Sequence, residues 1–298
     1  MSSHLPRRIV ILVHARDRWA ERRPYQIWGI ADVWRSWGIE VVVQHGTDRF
    51  VDADLVVNHL DLTVVPEPYV RHMARYAAGI NRRCVDCSKR VVSTNLLSEG
   101  EKWDGPVIVK TNLNYGGALE RQVLRGRLAQ TWEDLRLRLS RRPWRIRRQL
   151  STFDYPVLES VAQVPEDVWL NPHLVVERFL PEREGDLYVL RKLTLFGDRW
   201  TSRRSFSSSP IVKAGTAIRN EDVEPHPDVF EAARRLGLDR GKVDYVLHDG
   251  KAVVLDVNRT NTMGRSMAPE RIREAAERLA PGLRSFWPPG ERAARVSD

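Results

Sequence analysis

The chain has 298 residues, of which 42% are hydrophobic, and a formal net charge of +9. This length and composition suffice for one large domain or for two to three compact units with a real core, which excludes a disordered chain. No apolar run approaches the ~20 residues that a membrane-spanning helix needs, and the first residues lack the pattern of a signal peptide. We therefore expect a cytoplasmic protein without a membrane span.

The positive charge is concentrated in one segment, residues 121–150. This segment contains ten arginines and two acidic residues, a net charge of +8, and leaves only +1 for all other residues. Leu and Trp recur through it at roughly helical spacing, which predicts an amphipathic helical insertion whose charged face meets solvent. The alternative is a docking surface for a nucleic acid, a membrane surface or another anionic polymer, although no nucleic-acid-binding motif accompanies it.

The first 90 residues predict a small α/β domain. A continuous apolar run at 7–15 predicts a buried strand, and the helical spacing at 25–38 predicts a helix that ends at Gly38. Two further strands and a helix at 66–79 follow, which predicts a mostly parallel, Rossmann-like sheet. Because this part lacks a G-x-G-x-x-G sequence, it carries no dinucleotide-binding fingerprint.

A candidate phosphate-binding segment comes next. After a predicted helix at 88–100, residues 105–117 predict a strand that ends at Lys110 and runs into a loop with Gly116 and Gly117. The strand end fixes the lysine ammonium, and the glycines let backbone N–H groups approach phosphate oxygens. The segment is therefore suited to hold the phosphates of a nucleotide.

A strand at 173–180 and a hairpin at 187–203 continue the chain. Where such a strand stops pairing, its backbone N–H and C=O groups become available to the edge of a purine. Glu177 and Asp186 then offer carboxylates that can accept hydrogen bonds from ribose hydroxyls. The alternative is an ordinary strand and turn.

Residues 243–258 hold the most informative pattern. Two apolar runs joined by His-Asp-Gly at 248–250 predict a hairpin, which sets Asp244 beside Asp256 on neighbouring strands. Asn258 lies two residues after Asp256, so both side chains point to the same face. Because carboxylates in a sheet need a partner, and because these oxygens suit Mg²⁺, the pattern predicts a metal site.

In this order and at these separations, the three segments resemble the ATP-grasp superfamily, whose members include D-alanine–D-alanine ligase and glutathione synthetase. The resemblance covers roughly residues 88–265, and the first domain looks like the pre-ATP-grasp domain of these enzymes. It implies an α/β (α+β) fold with a Rossmann-like pre-ATP-grasp domain at 1–90. A two-subdomain ATP-grasp fold would follow, with the small subdomain and the arginine-rich insertion at 91–180 and the large, metal-holding subdomain at 181–298.

The resemblance also implies roles for individual residues. The cofactors would be ATP and one or two Mg²⁺ ions, with Mn²⁺ as an alternative metal. Lys213 looks like the second phosphate lysine, with Arg191 and Lys192 as rivals. Lys242 stands where related ligases carry an arginine that stabilises the tetrahedral intermediate. The other implied contacts are those of the phosphates with Lys110, Gly116 and Gly117, of adenine with the backbone around Val176 and Phe179, of ribose with Glu177 or Asp186, and of metal with Asp244, Asp256 and Asn258.

The implied reaction is the ATP-dependent formation of an amide or peptide bond. ATP would phosphorylate a substrate carboxylate, and an amine would attack the acyl phosphate, so that ADP and phosphate are released. One alternative is a kinase of the same fold that phosphorylates a small molecule, and another is a nucleotide- or anion-binding protein without turnover. The partners would be a small-molecule carboxylate and an amine, and a homodimer is an option because many relatives pair.

Five further residues have two interpretations each. Cys84 and Cys87 form a C-x-x-C pattern, but no second pair exists for zinc, so we expect two small, semi-buried residues near a strand end and no redox or metal function. His59 and Asp61 follow an apolar strand, where open α/β sheets often bind ligands, so they either contact the substrate or form a turn. Lys89 either assists ATP, as a lysine of related ligases does near this point, or is a solvated helix start.

Overall fold

The computed structural model describes residues 5–125, 143–148, 150, 155–263 and 268–287. Most of the predicted arginine-rich insertion at 121–150 lies outside these residues. Within the described ranges, no helix is both long enough and apolar enough to cross a membrane. The fold is mixed α/β, and three β-sheets follow one another along the chain.

The described residues form fourteen strands and seven α-helices. The strands are β1 (Arg8–Val13), β2 (Glu40–His45), β3 (Leu55–Asn58), β4 (Ala78–Ile80), β5 (Leu96–Leu97), β6 (Val107–Thr111), β7 (Val157–Leu158), β8 (Leu174–Arg178), β9 (Glu182–Glu184), β10 (Leu187–Phe196), β11 (Arg199–Ser207), β12 (Arg219–Asp222), β13 (Arg240–His248) and β14 (Lys251–Asn258). The helices are α1 (Gln26–Ser36), α2 (Glu67–Met73), α3 (Lys89–Val92), α4 (Ala118–Arg125), α5 (Glu166–Trp169), α6 (Pro227–Arg235) and α7 (Pro269–Leu279). Short 3-10 segments lie at Ala20–Arg22, Asn114–Gly117, Trp144–Ile146, Val161–Gln163, Ala214–Thr216 and Ala280–Phe286.

The first sheet is parallel throughout, with the strand order β2-β1-β3-β4. Ile9, Ile11 and Val13 of β1 pack on one face with helix α1. Val10 and Leu12 pack on the other face with helix α2. Because both faces are covered, β1 is a continuous apolar run rather than an alternating one, as is typical of parallel sheets.

Two predicted helices are partly wrong. The helix predicted at 66–79 ends at Met73, and Ala78–Ile80 forms the edge strand β4, because parallel pairing with β3 outweighs the local helical pattern. Of the helix predicted at 88–100, only Lys89–Val92 is helical. Ser93 donates a hydrogen bond to Asn95 at 2.7 Å, a local contact that competes with helix formation, and the chain then continues as β5.

The second sheet has the order β5-β8-β6-β7 and is antiparallel. Val107 and Val109 of β6 and Val176 of β8 belong to its buried core. Because side chains alternate along a strand, Lys110 and Glu177 lie on the opposite face, which looks toward the third sheet.

The third sheet has the order β12-β11-β10-β13-β14, with β9 paired to β10, and all its pairs are antiparallel. Leu193, Val243 and Val257 pack against helix α6 on one face. The other face bounds a cavity between the second and third sheets, as described below. The alternation of the strands thus separates an apolar core face from a polar cavity face.

The C-terminal segment joins the first sheet to the third. Helix α7 and the 3-10 segment after it share one core with helix α1 and with Phe196 of β10. Trp34 of α1 is fully buried there, and its Nε1–H donates to the Ala280 carbonyl at 3.2 Å. Gly282 passes so close to β10 that a Cβ would lie 2.0 Å from the Phe196 carbonyl oxygen. The junction therefore requires both the indole and the glycine.

The variant Trp34→Ala should lower the free energy of unfolding by about 3–5 kcal/mol, because truncation of a buried tryptophan removes its contacts and leaves a cavity. It also deprives the Ala280 carbonyl of its donor. Urea unfolding followed by circular dichroism measures the change. Leu170→Ala, at a side chain 53% exposed, is the control and should change the value by less than about 0.5 kcal/mol. Equal losses in both variants would contradict this role of Trp34.

Candidate functional site

A cavity of about 330 Å³ lies between the second and third sheets. Its wall combines apolar groups with a dense set of charged side chains, a combination typical of ligand sites. The apolar part includes Ile108, Phe179, Val212 and Leu255. The charged part contains predicted phosphate and metal residues from four separate segments, which the fold brings together.

The acidic hairpin forms as the sequence predicts. Asp244 of β13 lies opposite Asp256 of β14 in the strand register. Between the strands, Asp249 and Gly250 have φ angles of 49° and 72°, the left-handed conformations that a two-residue hairpin turn needs. Asn258 lies on the same strand as Asp256, and both line the cavity together with Asp244.

Each of the two aspartates has a lysine partner. Lys242 Nζ lies 2.8 Å from Asp244 Oδ2, and Lys89 Nζ lies 3.3 Å from Asp256 Oδ1. Burial acts to lower the pKa of each lysine, but the surrounding acidic groups together raise it above the usual value, Asp256, Tyr155 and Glu177 for Lys89 and Asp244 and Asp256 for Lys242. Both lysines are therefore ammonium groups at neutral pH. Lys89 is only 5% exposed, so its interpretation as a solvated residue is wrong.

Lys110 forms a third pair, with Glu177. Its Nζ lies 2.6 Å from Glu177 Oε2, and Glu177 is 0% exposed. The other carboxylate oxygen, Oε1, is buried and has no hydrogen-bond partner among the described residues. Glu177, the predicted ribose acceptor, is thus paired with Lys110, the predicted phosphate lysine. The second carboxylate oxygen of Glu177 lies at the cavity wall without a partner among the described residues.

Lys192 and Lys213 line the same cavity without a carboxylate partner in the described part of the chain. Lys192 Nζ donates to Ser205 Oγ at 3.2 Å, and Lys213 Nζ lies 5.8 Å from the centroid of the Tyr155 ring. Burial lowers the pKa of both lysines, because removal from water disfavours the charged form. A bound anionic ligand would favour the charged form of both lysines.

Asp186 and Arg191, two residues predicted to contact ATP, do not line the cavity. Asp186 is exposed beside Gly185 at the turn between β9 and β10. Arg191 Nε donates to Glu182 Oε1 at 2.9 Å. Glu182 itself lines the cavity and also accepts from the Leu247 N–H at 2.7 Å. The carboxylate that reaches the site at this end is therefore Glu182, which the sequence analysis did not single out.

The predicted glycine loop is compact, and three of its residues have positive φ angles. Tyr115, Gly116 and Gly117 have φ angles of 48°, 63° and 69°, a left-handed conformation that favours glycine. Both glycines are buried, and neither lines the cavity, whereas Tyr115 is 67% exposed and lines it. Val176 lies in the core of the second sheet, so only its backbone is near the site.

A second cavity, of about 470 Å³, adjoins the first. The two cavities share Tyr115, Lys242 and Asn258 as lining residues, and they therefore meet at the acidic hairpin. Asp61 lines the second cavity, and its carboxylate accepts hydrogen bonds from the hydroxyls of Tyr25 and Thr260. Burial raises the pKa of Asp61 above its usual value.

His59 and Asp61 were both singled out in the segment after β3. Asp61 lines the second cavity, whereas His59 lines neither of the two described cavities. His59 is 2% exposed, and its ring stands edge-on to Tyr25 and Trp28, at centroid distances of 4.7 and 5.3 Å. Burial lowers the pKa of His59 well below its usual value, so the ring is neutral. His59 is a packing residue beneath the cavity wall.

Three charged residues of the second cavity, Arg23, Glu120 and Arg259, have no local sequence pattern that points to them. Arg259 directly follows Asn258, so extending the hairpin by one residue would have included it. Arg23 and Glu120 come from segments far apart in the chain and meet only through the tertiary fold. Glu120 Oε1 accepts from the Thr63 N–H at 2.6 Å.

Solved structures of other proteins are similar to this chain. D-alanine–D-alanine ligase from Bacillus anthracis has 12% sequence identity and a TM-score of 0.48, with 98% of this chain and 99% of that chain covered. A RimK domain protein ATP-grasp from Sphaerobacter thermophilus DSM 20745 has 14% identity, a TM-score of 0.46 and coverages of 92% and 99%. The ATP-grasp ligase PsnB, complexed with minimal precursor, Mg and ADP, has 13% identity, a TM-score of 0.47 and coverages of 92% and 97%.

The chain is similar to ATP-grasp enzymes. No family model matches the sequence, and no curated protein matches it either. At these identities and scores, the chemistry of this chain has to be inferred from its own residues.

The variant Lys110→Met should lower the free energy of unfolding by about 3–5 kcal/mol, because it leaves the buried Glu177 carboxylate without a counter-charge. The double variant Lys110→Met with Glu177→Gln should regain most of the loss, because a neutral amide needs no cation. Urea unfolding of the wild type, both single variants and the double variant provides the full cycle. A double variant as unstable as Lys110→Met would contradict the pairing.

Proposed function

We propose that this protein is an ATP-dependent ligase of the ATP-grasp type, which joins a carboxylate to an amine. The observation that carries the proposal is the acidic hairpin, which presents Asp244, Asp256 and Asn258 to a cavity ringed by lysines. ATP phosphorylates the substrate carboxylate at this site, and the amine attacks the acyl phosphate. An amide is formed, and ADP and phosphate are released.

The first cavity is the ATP site of the proposal. Its apolar part, with Phe179 beside the end of β8, suits an adenine ring. Lys192 and Lys213 suit the phosphates best, because neither ammonium has a carboxylate partner among the described residues and burial disfavours its charge. Lys110 is better suited to a structural role than to phosphate binding, because its ammonium group pairs with the Glu177 carboxylate.

Asp244, Asp256 and Asn258 would hold one or two Mg²⁺ ions. The donor set fits, because all three offer hard oxygens and Asp244 Oδ1 is buried without a partner among the described residues. The described residues contain no group of three or more His, Cys, Asp or Glu suited to a metal. The proposed protein ligand set is two carboxylates and one amide. When bound, the metal supplies positive charge to the transferred phosphoryl group.

Lys242 is the residue of this chain best placed to stabilise charge on the reacting carbon. It lines both cavities; burial acts to lower its pKa, but Asp244 and Asp256 together raise it, so it carries a proton at neutral pH. A fixed ammonium between the ATP site and the second cavity can stabilise the oxyanion of a tetrahedral intermediate. The second cavity would hold the carboxylate and the amine in line with the phosphate, which lowers the entropic cost of their encounter.

The division of the chain at 1–90, 91–180 and 181–298 belongs to this proposal. The three sheets fall at residues 8–80, 96–178 and 182–258, in keeping with those limits. A cytoplasmic location, the homodimer and a role for residues 121–150 stay predictions.

The variant Asp256→Asn should lower the Mg²⁺-dependent affinity for ATP by about 100-fold or more. The reason is that even changes to residues outside the metal's direct ligands lower metal affinity by about 10- to 100-fold. Calorimetric titration of ATP with and without Mg²⁺ measures the effect. Asp249→Asn is the matched control, because Asp249 lies in the same hairpin with a side chain 90% exposed and should bind as the wild type does. Unchanged Mg²⁺-dependent affinity in Asp256→Asn would remove this metal assignment.

Hydroxylamine trapping tests the acyl phosphate directly. The protein is incubated with Mg-ATP, hydroxylamine and a panel of small carboxylic acids, and the products are identified by mass spectrometry. We expect an ATP-dependent hydroxamate from at least one acid, which the Asp256→Asn variant does not produce. A stable phosphorylated alcohol in place of any hydroxamate would instead establish a kinase and end the ligase proposal.

A further inference from the structure

The two cysteines of the chain are in contact with each other. Cys84 Sγ and Cys87 Sγ are 3.6 Å apart, and both residues are buried. A disulfide needs about 2.05 Å, so an approach of roughly 1.5 Å would close one between them. Two sulfurs are too few for a structural zinc site, and the described residues offer no third ligand nearby.

Arg259 ties the two cysteines to the wall of the second cavity. Its Nη1 donates to Cys87 Sγ at 3.1 Å and to the Cys84 carbonyl at 2.8 Å. Its Nη2 donates to the Leu62 and Thr63 carbonyls. The guanidinium therefore links the sulfurs to two lining residues of the cavity and, through the chain, to Asn258 of the proposed metal set.

Cys87 is the member of the pair that lies at the wall of the second cavity. It is one of the lining residues of the second cavity, whereas Cys84 is not. Its N–H donates to the Thr63 carbonyl at 2.9 Å, so its backbone is held at the cavity wall. The hydrogen bond between the two thiols lowers the pKa of Cys84, and the same bond together with burial raises the pKa of Cys87. Cys84 therefore has the larger thiolate fraction, which suits its attack on an oxidised Cys87 sulfur.

We propose that Cys84 and Cys87 are a reversible disulfide site that hydrogen peroxide oxidises through the second cavity. The Cys87 sulfur forms a bond to one peroxide oxygen, the O–O bond breaks, and the leaving hydroxide takes the thiol proton as water. Cys84 then attacks the resulting sulfenic acid, the S–S bond forms, and the hydroxyl leaves with the Cys84 proton as a second water. Two thiols are oxidised, one peroxide is reduced, and a dithiol reductant reverses the change.

The disulfide would alter the second cavity without any contact to ATP. As the sulfurs close on each other, Cys87 Sγ is drawn away from Arg259 Nη1, and the guanidinium loses one of its acceptors. Its remaining hydrogen bonds go to carbonyls of Cys84, Leu62 and Thr63, so the cavity wall has to adjust. The oxidation does not depend on the proposed ligase reaction, and the two can fail separately.

The test uses the native, reduced protein with hydrogen peroxide as the probe. After quenching, the cysteines are alkylated under denaturing conditions and the intact mass is measured. We expect a loss of the mass of two hydrogen atoms, no alkylated cysteine, and full recovery of both alkylation sites after dithiothreitol. Amide hydrogen exchange of peptides that span Leu62 and Arg259 should be faster in the oxidised protein than in the reduced one.

The variants Cys84→Ser and Cys87→Ser are the controls, because neither can form the internal disulfide. Each should keep its exchange pattern at Leu62 after peroxide, with circular dichroism to verify the fold. For a comparison that needs no variant, the wild type is oxidised in parallel in urea. A disulfide that forms only in urea, or irreversible oxidation of Cys87 alone in the native protein, would overturn the site. A native disulfide with unchanged hydrogen exchange would overturn its link to the cavity.

Discussion

The pairing of carboxylates with lysines at the cavity wall is the constraint on which the rest of the structure depends. Asp244, Asp256 and Glu177 lie at the wall of one cavity, and each is held by a lysine ammonium within 3.3 Å. A buried carboxylate costs several kcal/mol unless a cation compensates it, so the strands that carry the acids and the segments that carry the lysines have to come together. Two of these pairs, Lys89–Asp256 and Lys110–Glu177, join residues far apart in sequence and set the position of the strands around the cavity.

The part of the site that could be predicted from the sequence is the part made by local structure. The hairpin needs only a turn and the alternation of two strands, so the neighbours Asp244 and Asp256 follow from their spacing. Asp186 and Arg191 do not line the described cavity; the side chain that enters there, Glu182, is positioned by contacts with β10 and β13 that no local sequence pattern shows. Likewise, the edge strands β4 and β5 replaced predicted helix, because pairing with a distant strand outweighs local propensity.

The walls of the two cavities differ in chemical character. The first is bounded by the second and third sheets and carries unpaired lysines, which favours a polyanionic ligand. The second is bounded by loops that follow β3 and β14, and its Asp61 carboxylate accepts hydrogen bonds from two hydroxyls. Lys242 and Asn258 stand at the boundary. Arg259 contacts both the thiol pair and the loop that follows β3, and it directly follows Asn258 in the chain.

The lysine–carboxylate pairs have a consequence for the order in which ligands bind. With no ligand bound, Lys242 and Lys89 neutralise Asp244 and Asp256. If Mg²⁺ takes Asp244 and Asp256, the ammonium groups of Lys242 and Lys89 lose their anions and become free to attract phosphate. If phosphate arrives first, it draws the same lysines away and exposes the carboxylates to a cation. Each ligand therefore prepares the site for the other, and by thermodynamic linkage the two affinities have to be positively coupled by one shared exchange of ions.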